Sequence, residues 1–240
     1  MSLLDDERLE AFATHFYGYG NYTGKYWFVG MEEGGGDSFQ EIEKRLAIWS
    51  QRGGCELEDV AEYHIALGIT YPFAPTAKLQ PTWSKLIRVL LSAEGYSALK
   101  EDVRAYQRHY LGRKSGESCL LELLPLPSPS TSDWLYAQYS QLKYLTDRET
   151  YRHYFMPKRI RHIKERIRQY KPKAVIFYSF SYRSYWAEIA ETELQAKDYG
   201  EFYLGKDSGV VFVTMKHPAA TGVTSEYFQN IGKAVANNCD

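Results

Sequence analysis

The chain has 240 residues, of which 29 are Lys or Arg and 30 are Asp or Glu, so its formal net charge is -1. Its hydrophobic fraction of 44% and charged fraction of 25% exclude a mainly disordered, collagen-like or coiled-coil protein. No apolar run approaches the roughly 20 residues that cross a bilayer, and the acidic stretch MSLLDDERLEAF lacks a signal-peptide pattern. Three scattered cysteines are too few for a disulfide framework or a zinc site. We therefore expect a cytoplasmic protein with no membrane partner.

Predicted strands and helices alternate along the chain. Short apolar or β-branched runs bounded by Gly or Pro predict strands at Lys25–Val29, Cys119–Leu124, Ala174–Phe180 and Gly209–Met215. Apolar residues at three- and four-residue spacing predict helices at Leu3–Phe16, Phe39–Ser50, Thr82–Ser92, Leu99–Tyr110, Thr150–Tyr170, Tyr182–Glu193 and Ser225–Asn237. Because the strands are apolar on both faces, we expect a three-layer α/β/α fold with a short, mainly parallel, four-stranded sheet.

We expect a single domain over residues 1–240, because the chain has no internal repeat and no low-complexity linker. One segment, about 51–81, is predicted to be an irregular excursion, since Gly-Gly, Tyr-Pro-Phe-Ala-Pro and Pro-Thr interrupt it. We expect this domain to act as a monomer.

The predicted strands end in chemically unusual loops. The first strand runs into Gly30 and then Glu32, Glu33 and a glycine cluster, while the last one runs into His217. Because ligands bind beyond the carboxyl ends of parallel strands, we expect these groups to meet at one edge of the sheet. The acidic pair could supply a general base, or it could be a solvated acidic turn. His217 could serve a ligand or simply cap a turn. No spacing of His, Cys, Asp and Glu predicts a metal site.

Four segments together resemble the uracil-DNA glycosylase-like superfamily: WFVGMEEGGG, LLELLPLPSPS, IRQYKPKAVIFYSFSYRSYW and VVFVTMKHPAATGVTSEYF. The first is similar to that family's strand and water-activating loop, and the last to its strand ending in His-Pro-Ser. The resemblance covers most of residues 25–235. It implies the family's α/β/α fold and hydrolysis of an N-glycosidic bond of a damaged or modified base in DNA, without a cofactor.

The resemblance also implies residue roles. Glu32 falls where the family's aspartate activates water, with Glu33 as the neighbouring candidate. His217 falls on the histidine that donates a hydrogen bond to the O2 atom of the departing base. The further residues expected to shape the pocket or bind substrate are Gly30, Gly34, Phe39, Glu122, Pro125, Ser128 and Thr221. Among them, Phe39 is the nearest aromatic candidate for stacking on an extruded base, although packing in a helix core explains it as well.

Three positions depart from the family pattern. Glu122, or one of its apolar neighbours, lies where related enzymes use an asparagine to read uracil, and an ionised carboxylate cannot donate a hydrogen bond to a base carbonyl. Glu122 could also face the solvent side of its strand. Thr221 stands where the duplex-reading branch inserts a leucine, and threonine is a poor wedge. Ala219 replaces the serine that helps to grip phosphate. These departures argue against uracil specificity.

Charge is unevenly distributed, since residues 148–173 hold 10 basic and 2 acidic side chains. This basic stretch, which includes Arg159, could contact phosphates or could be a solvated helix. Three functions remain open on the sequence. The protein could be a glycosylase-like hydrolase acting on single- or double-stranded DNA, a nucleotide- or nucleic-acid-binding module without catalysis, or a hydrolase of free nucleosides or nucleotides.

Overall fold

All the strands in the described part of the chain join one sheet. The structure is a computed structural model that describes residues 2–130 and 132–239. The strands are β1 (Gly18–Gly20), β2 (Tyr26–Gly30), β3 (Leu57–Glu58), β4 (Ser118–Glu122), β5 (Ala174–Tyr178), β6 (Gln195–Lys197), β7 (Phe202–Asp207) and β8 (Val210–Met215). Their order across the sheet is β3-β1-β4-β2-β5-β8-β7-β6.

The middle of this sheet is parallel. β2 pairs in parallel with both β4 and β5, and β5 pairs in parallel with β8. Every residue of β2, β5 and β8 is buried, which explains why the sequence shows continuous apolar runs there. These central strands are the ones predicted from the sequence, and the predicted α/β class is confirmed.

The prediction of a four-stranded, mainly parallel sheet is wrong, because the sheet has eight strands and is mixed. β1 runs antiparallel to β4 and carries β3, while β7 and β6 continue the sheet antiparallel beyond β8. The added strands are two to six residues long. They escape sequence prediction because GYG, LE and QAK contain no apolar run, and FYLGKD ends in polar residues.

Helices cover the sheet. In the described residues they are α1 (Asp6–His15), α2 (Phe39–Gln51), α3 (Val60–Ala66), α4 (Pro81–Ala93), α5 (Lys100–His109), α6 (Tyr136–Tyr139), α7 (Arg148–Tyr170), α8 (Arg183–Ala190) and α9 (Ser225–Ala236). α4 packs against α9 and α7 packs against α8. None of the helices in the described ranges is long and apolar enough to span a bilayer.

The segment 51–81, predicted to be irregular, contains β3 and α3. Asp59 caps α3 by accepting hydrogen bonds from the backbone N–H groups of Ala61 (3.0 Å) and Glu62 (3.1 Å). The pattern was too short to predict, since α3 has only 7 residues and lies between glycine- and proline-rich flanks. The helix is nevertheless important, because it gives the cavity described below one ordered wall.

Arg159, in the middle of α7, is buried inside the fold and does not face solvent. Its guanidinium donates hydrogen bonds to the backbone carbonyls of Glu122 (2.7 Å), Leu123 (2.8 Å) and Phe16 (2.8 Å), and it lies 3.6 Å from the ring centroid of Tyr17. A buried charge needs such partners. Arg159 therefore holds the carboxyl end of β4, where Glu122 is located.

Other cations of the basic stretch are paired with carboxylates. Arg166 contacts Glu56 at 2.8 Å, and Lys164 and Arg168 both contact Glu191. Partnered cations have less to gain from a phosphate, because an existing ion pair must first be broken. The helix is thus mainly structural. This favours the interpretation of the basic stretch as a solvated helix over its interpretation as a phosphate-binding surface.

Candidate active site

A cavity of about 680 Å³ opens at the edge of the sheet where β2, β4, β5 and β8 end. Ligands bind at this edge in open parallel sheets. Of the residues predicted for the site, those that line the cavity are Glu32, Glu33, Gly34, Glu122, Ser128 and His217. The two predicted catalytic residues, Glu32 and His217, therefore lie on walls of the same cavity.

Glu122, the last residue of β4, lines the cavity beside Tyr178, the last residue of β5. The Tyr178 hydroxyl donates a hydrogen bond to Glu122 Oε1 at 3.2 Å, while Oε2 is buried and has no partner among the described residues. Burial, helped by the negative charge of Glu33, raises the pKa of Glu122 to about 8. The carboxyl is therefore protonated at neutral pH and offers both a donor and an acceptor. This corrects the assumption of an ionised Glu122.

Gly30, the last residue of β2, leaves room for this pair of side chains. A Cβ atom at Gly30 would lie 2.1 Å from the Tyr178 hydroxyl and 2.6 Å from Glu122 Oε2. Gly34 differs, because no atom lies within 4 Å of the position its Cβ would take. Only the first of these two predicted glycines is required by close packing.

Gly30→Ala is expected to destabilise the protein by about 1–3 kcal/mol, because the new methyl group must push Tyr178 away from Glu122. Gly34→Ala is the matched control and is expected to change the free energy of unfolding by less than about 0.5 kcal/mol. Denaturant unfolding of both variants measures the difference. Equal losses of stability in the two variants would contradict the assigned role of Gly30.

Glu33 is an ionised carboxylate that is already fully engaged. Its Oε2 atom accepts hydrogen bonds from the Tyr19 hydroxyl (2.9 Å) and from Arg45 (3.0 Å), and its Oε1 atom lies 3.6 Å from His64 Nε2. Burial alone raises the pKa of Glu33, but Arg45 and the neighbouring donors outweigh burial and the pKa falls to about 2. Glu33 is thus placed to support the wall and to keep Glu122 neutral, and it has little capacity to accept a proton.

Glu32 retains one free oxygen. Its Oε1 atom accepts a hydrogen bond from Arg148, the first residue of α7, and its Oε2 atom is buried without a partner among the described residues. A buried carboxylate oxygen without a partner is costly. The free oxygen is therefore a natural contact for a water molecule or a ligand hydroxyl.

His217 stands at the exposed mouth of the cavity, with its ring centroid 5.8 Å from that of Tyr178. The backbone N–H of Ala219 donates a hydrogen bond to His217 Nδ1 at 3.1 Å. Nδ1 therefore acts as the acceptor, which assigns the proton of the neutral ring to Nε2. Partial burial lowers the pKa of His217. The neutral form that predominates at pH 7 thus has an N–H group available to donate.

Three predicted site residues, Phe39, Thr221 and Pro125, do not line the cavity, and a fourth, Ser128, lines it with its hydroxyl already engaged. Phe39 lies outside the cavity and packs edge to face on Tyr139, with ring centroids 5.2 Å apart. Thr221 is exposed in the loop after β8 and does not line the cavity, and Pro125 is buried and does not line it either. Ser128 does line it, but its hydroxyl is within hydrogen-bond distance of two backbone carbonyls of its own loop. Phe39 follows the capping residue of α2, so helix packing determines its direction.

The cavity also contains residues that sequence reasoning missed. Arg45 lines the cavity and holds Glu33, while His64, Tyr71 and Trp83 contribute its aromatic wall. Arg148 does not line the cavity but pairs with Glu32. Trp83 packs edge to face on His64, with ring centroids 5.5 Å apart. Of these residues, only Trp83 could have been placed from the sequence, because it lies in the first turn of a predicted helix. The others come from a segment predicted as irregular or from helix faces whose partners are distant in sequence.

No protein-family model matches the chain, and no curated protein is significantly similar to it in sequence. Within the described ranges, no group of three or more His, Cys, Asp or Glu side chains is arranged to hold a metal ion. The functional assignment therefore depends on the chemistry of the cavity itself.

Proposed function

We propose that this protein is a glycosylase-like hydrolase of the uracil-DNA glycosylase-like fold, which releases a modified base from DNA. The observation that carries the proposal is that Glu32 and His217 line one cavity at the carboxyl edge of the parallel strands. The motifs that resemble the family also meet around this cavity. Its volume of about 680 Å³ lies within the range of roughly 300–1,000 Å³ that is typical of small-ligand pockets.

Glu32 is suited to activate the attacking water. When the bond between C1′ of the sugar and the base nitrogen breaks, positive charge develops on the sugar and the base takes the electron pair. The water oxygen then bonds to C1′, and the proton of the water passes to Oε2 of Glu32. Arg148 holds the other oxygen and so orients the carboxylate.

His217 is suited to stabilise the departing base. Its Nε2–H group can donate a hydrogen bond to an oxygen of the base, where negative charge accumulates as the bond breaks. The bond from Ala219 N–H to Nδ1 keeps the ring in the required tautomer. No step in this reaction requires a metal or an organic cofactor.

Glu122 is suited to select the base. Because its carboxyl is protonated and Oε2 has no partner among the described residues, it can donate a hydrogen bond to a ring carbonyl. Uracil, hypoxanthine and xanthine all carry such a carbonyl. Trp83 and Tyr71 provide aromatic surface in the same cavity on which an extruded base could stack.

The proposal is tested with single- and double-stranded oligonucleotides that carry uracil, hypoxanthine, xanthine or an alkylated base. We expect alkali-labile abasic sites with at least one of the bases that carry a ring carbonyl. Binding of such oligonucleotides without abasic sites would contradict the proposal and favour a non-catalytic binding module. Base release from free nucleosides only would favour a nucleoside hydrolase.

A further inference from the structure

A strained turn presents one fully exposed tyrosine near the cavity. Tyr199 has a relative exposure of 111% and lies in the turn Asp198–Gly200 between β6 and β7. Because β7 runs antiparallel to β8, with Tyr203 opposite Thr214, this turn lies at the edge of the sheet where β8 ends. His217 follows β8 at that same edge.

The backbone of this turn is unfavourable for its sequence. Asp198 and Tyr199 have φ values of 46° and 58°, in the left-handed region, and Gly200 follows with a φ of 89°. An aromatic residue in this region is a genuine outlier, and such residues cost about 1–3 kcal/mol each. Strain of this kind persists only where the surrounding structure enforces it.

The surrounding contacts tie the turn to the loop that carries His217. The Tyr227 hydroxyl donates a hydrogen bond to the Glu201 carbonyl at 2.8 Å and accepts one from the Lys216 backbone N–H at 2.9 Å. The Lys216 ammonium also pairs with the Glu201 carboxylate at 2.5 Å. The turn and the His217 loop are thus held together, and Tyr199 projects outward from that unit.

A second aromatic cluster lies at the same edge. Phe180 follows β5 and packs edge to face on Tyr203, with ring centroids 5.5 Å apart, while the Arg183 guanidinium lies 4.7 Å from the Tyr203 centroid. Arg183 is exposed and forms no ion pair with a carboxylate in the described ranges of the chain. We name Phe180, Arg183, Tyr199 and Tyr203 the Tyr199 surface.

We propose that the Tyr199 surface binds single-stranded nucleic acid on the side of the cavity formed by His217. The exposed ring of Tyr199 can stack a base without regard to sequence, and the exposed Arg183 guanidinium, which lies over the half-buried ring of Tyr203, can contact a phosphate. A duplex is a poorer partner, because duplex binding relies on many phosphate contacts and the surface holds only a few cations, next to Asp198 and Glu201. This inference extends the proposed function but does not require base release.

The test is fluorescence anisotropy with a labelled, unmodified oligothymidylate, which contains no base to be released. Tyr199→Ala is expected to weaken binding at least about fivefold, whereas Tyr199→Trp retains binding. Tyr96→Ala is the matched control, because Tyr96 is also exposed, at 67%, but lies near the amino ends of the strands. Arg183→Ala is expected to remove one phosphate contact. The slope of the logarithm of the binding constant against the logarithm of the salt concentration should therefore become shallower by about one.

Tyr199→Gly separates binding from folding. Glycine accepts a positive φ without strain, so the melting temperature is expected to stay the same or rise while binding is lost. Failure of the wild type to bind the oligothymidylate, or equal losses in the Tyr199 and Tyr96 variants, would overturn the inference. Binding without release of any modified base would leave the inference standing while contradicting the proposed hydrolysis.

Discussion

Glu32→Gln is expected to lower the rate of base release by about 10²- to 10⁴-fold, because glutamine cannot accept the proton of the attacking water. Its amide oxygen can still accept the hydrogen bond from Arg148, so substrate binding should change little. The measurement is single-turnover release of the base from the best substrate of the oligonucleotide panel, with binding measured in parallel.

The matched control is Glu101→Gln, since Glu101 on α5 has a side chain that is 76% exposed. We expect this variant to release the base at the wild-type rate. The assignment of Glu32 would be wrong if its glutamine variant kept the wild-type rate, or if the rate fell only in proportion to a loss of folded protein in thermal unfolding.

Glu122→Gln is expected to make the protein more stable than the wild type as the pH rises. The pKa of Glu122 is about 8 in the fold and 4.5 in an ordinary environment, so between these values the unfolded chain loses a proton that the folded chain keeps. Wild-type stability therefore falls with rising pH in this window, by about 1.4 kcal/mol per pH unit for this one group. Glutamine does not titrate and escapes that loss.

Denaturant unfolding from pH 4 to pH 9 measures the difference between the two proteins. We expect a constant difference below pH 4.5 that grows up to about pH 8 in favour of glutamine. A difference that does not depend on pH would show that Glu122 ionises normally in the fold.

The same substitution should change the pH dependence of catalysis. Wild-type release of a base with a ring carbonyl is expected to fall as the pH rises through about 8, because an ionised Glu122 can no longer donate a hydrogen bond. Glu122→Gln keeps an N–H donor and should lose this alkaline decline. An identical decline in both proteins would assign the effect to another group.

Local sequence pattern predicted the elements that are long and strongly apolar. The central strands β2, β4, β5 and β8 and the seven longer helices were expected near their observed positions, because continuous burial and helical periodicity leave clear signals. The short strands β1, β3 and β6 and helix α3 left none. Hydrogen bonds to neighbouring elements stabilise these segments more than their own composition does.

For the candidate site, the positions of residues along the chain were more predictable than their chemical states. The order of elements along the chain predicts Glu32 and His217 just beyond strand ends, and the parallel sheet brings these ends to one edge. Glu122 was predicted inside a strand reaching Leu124, whereas β4 ends at Glu122.

The chemical states of these residues did not follow from that order. The sequence favours Glu32 over the neighbouring Glu33 only by position in the motif, whereas Arg45 and Tyr19 engage Glu33 in the fold. Burial beside Tyr178 likewise keeps Glu122 protonated, which its place in the sequence does not reveal.

The ordinary composition of the chain indicates a folded protein, and the pattern of its apolar residues determines the α/β class and the unusual strand ends. The identity of the free carboxylate, the neutral acid and the available imidazole depended on the assembled fold. The physical reason is that ionisation and hydrogen bonding depend on burial and on partners from distant segments, such as Arg148 for Glu32 and Ala219 N–H for His217. Such contacts leave no local pattern in the sequence.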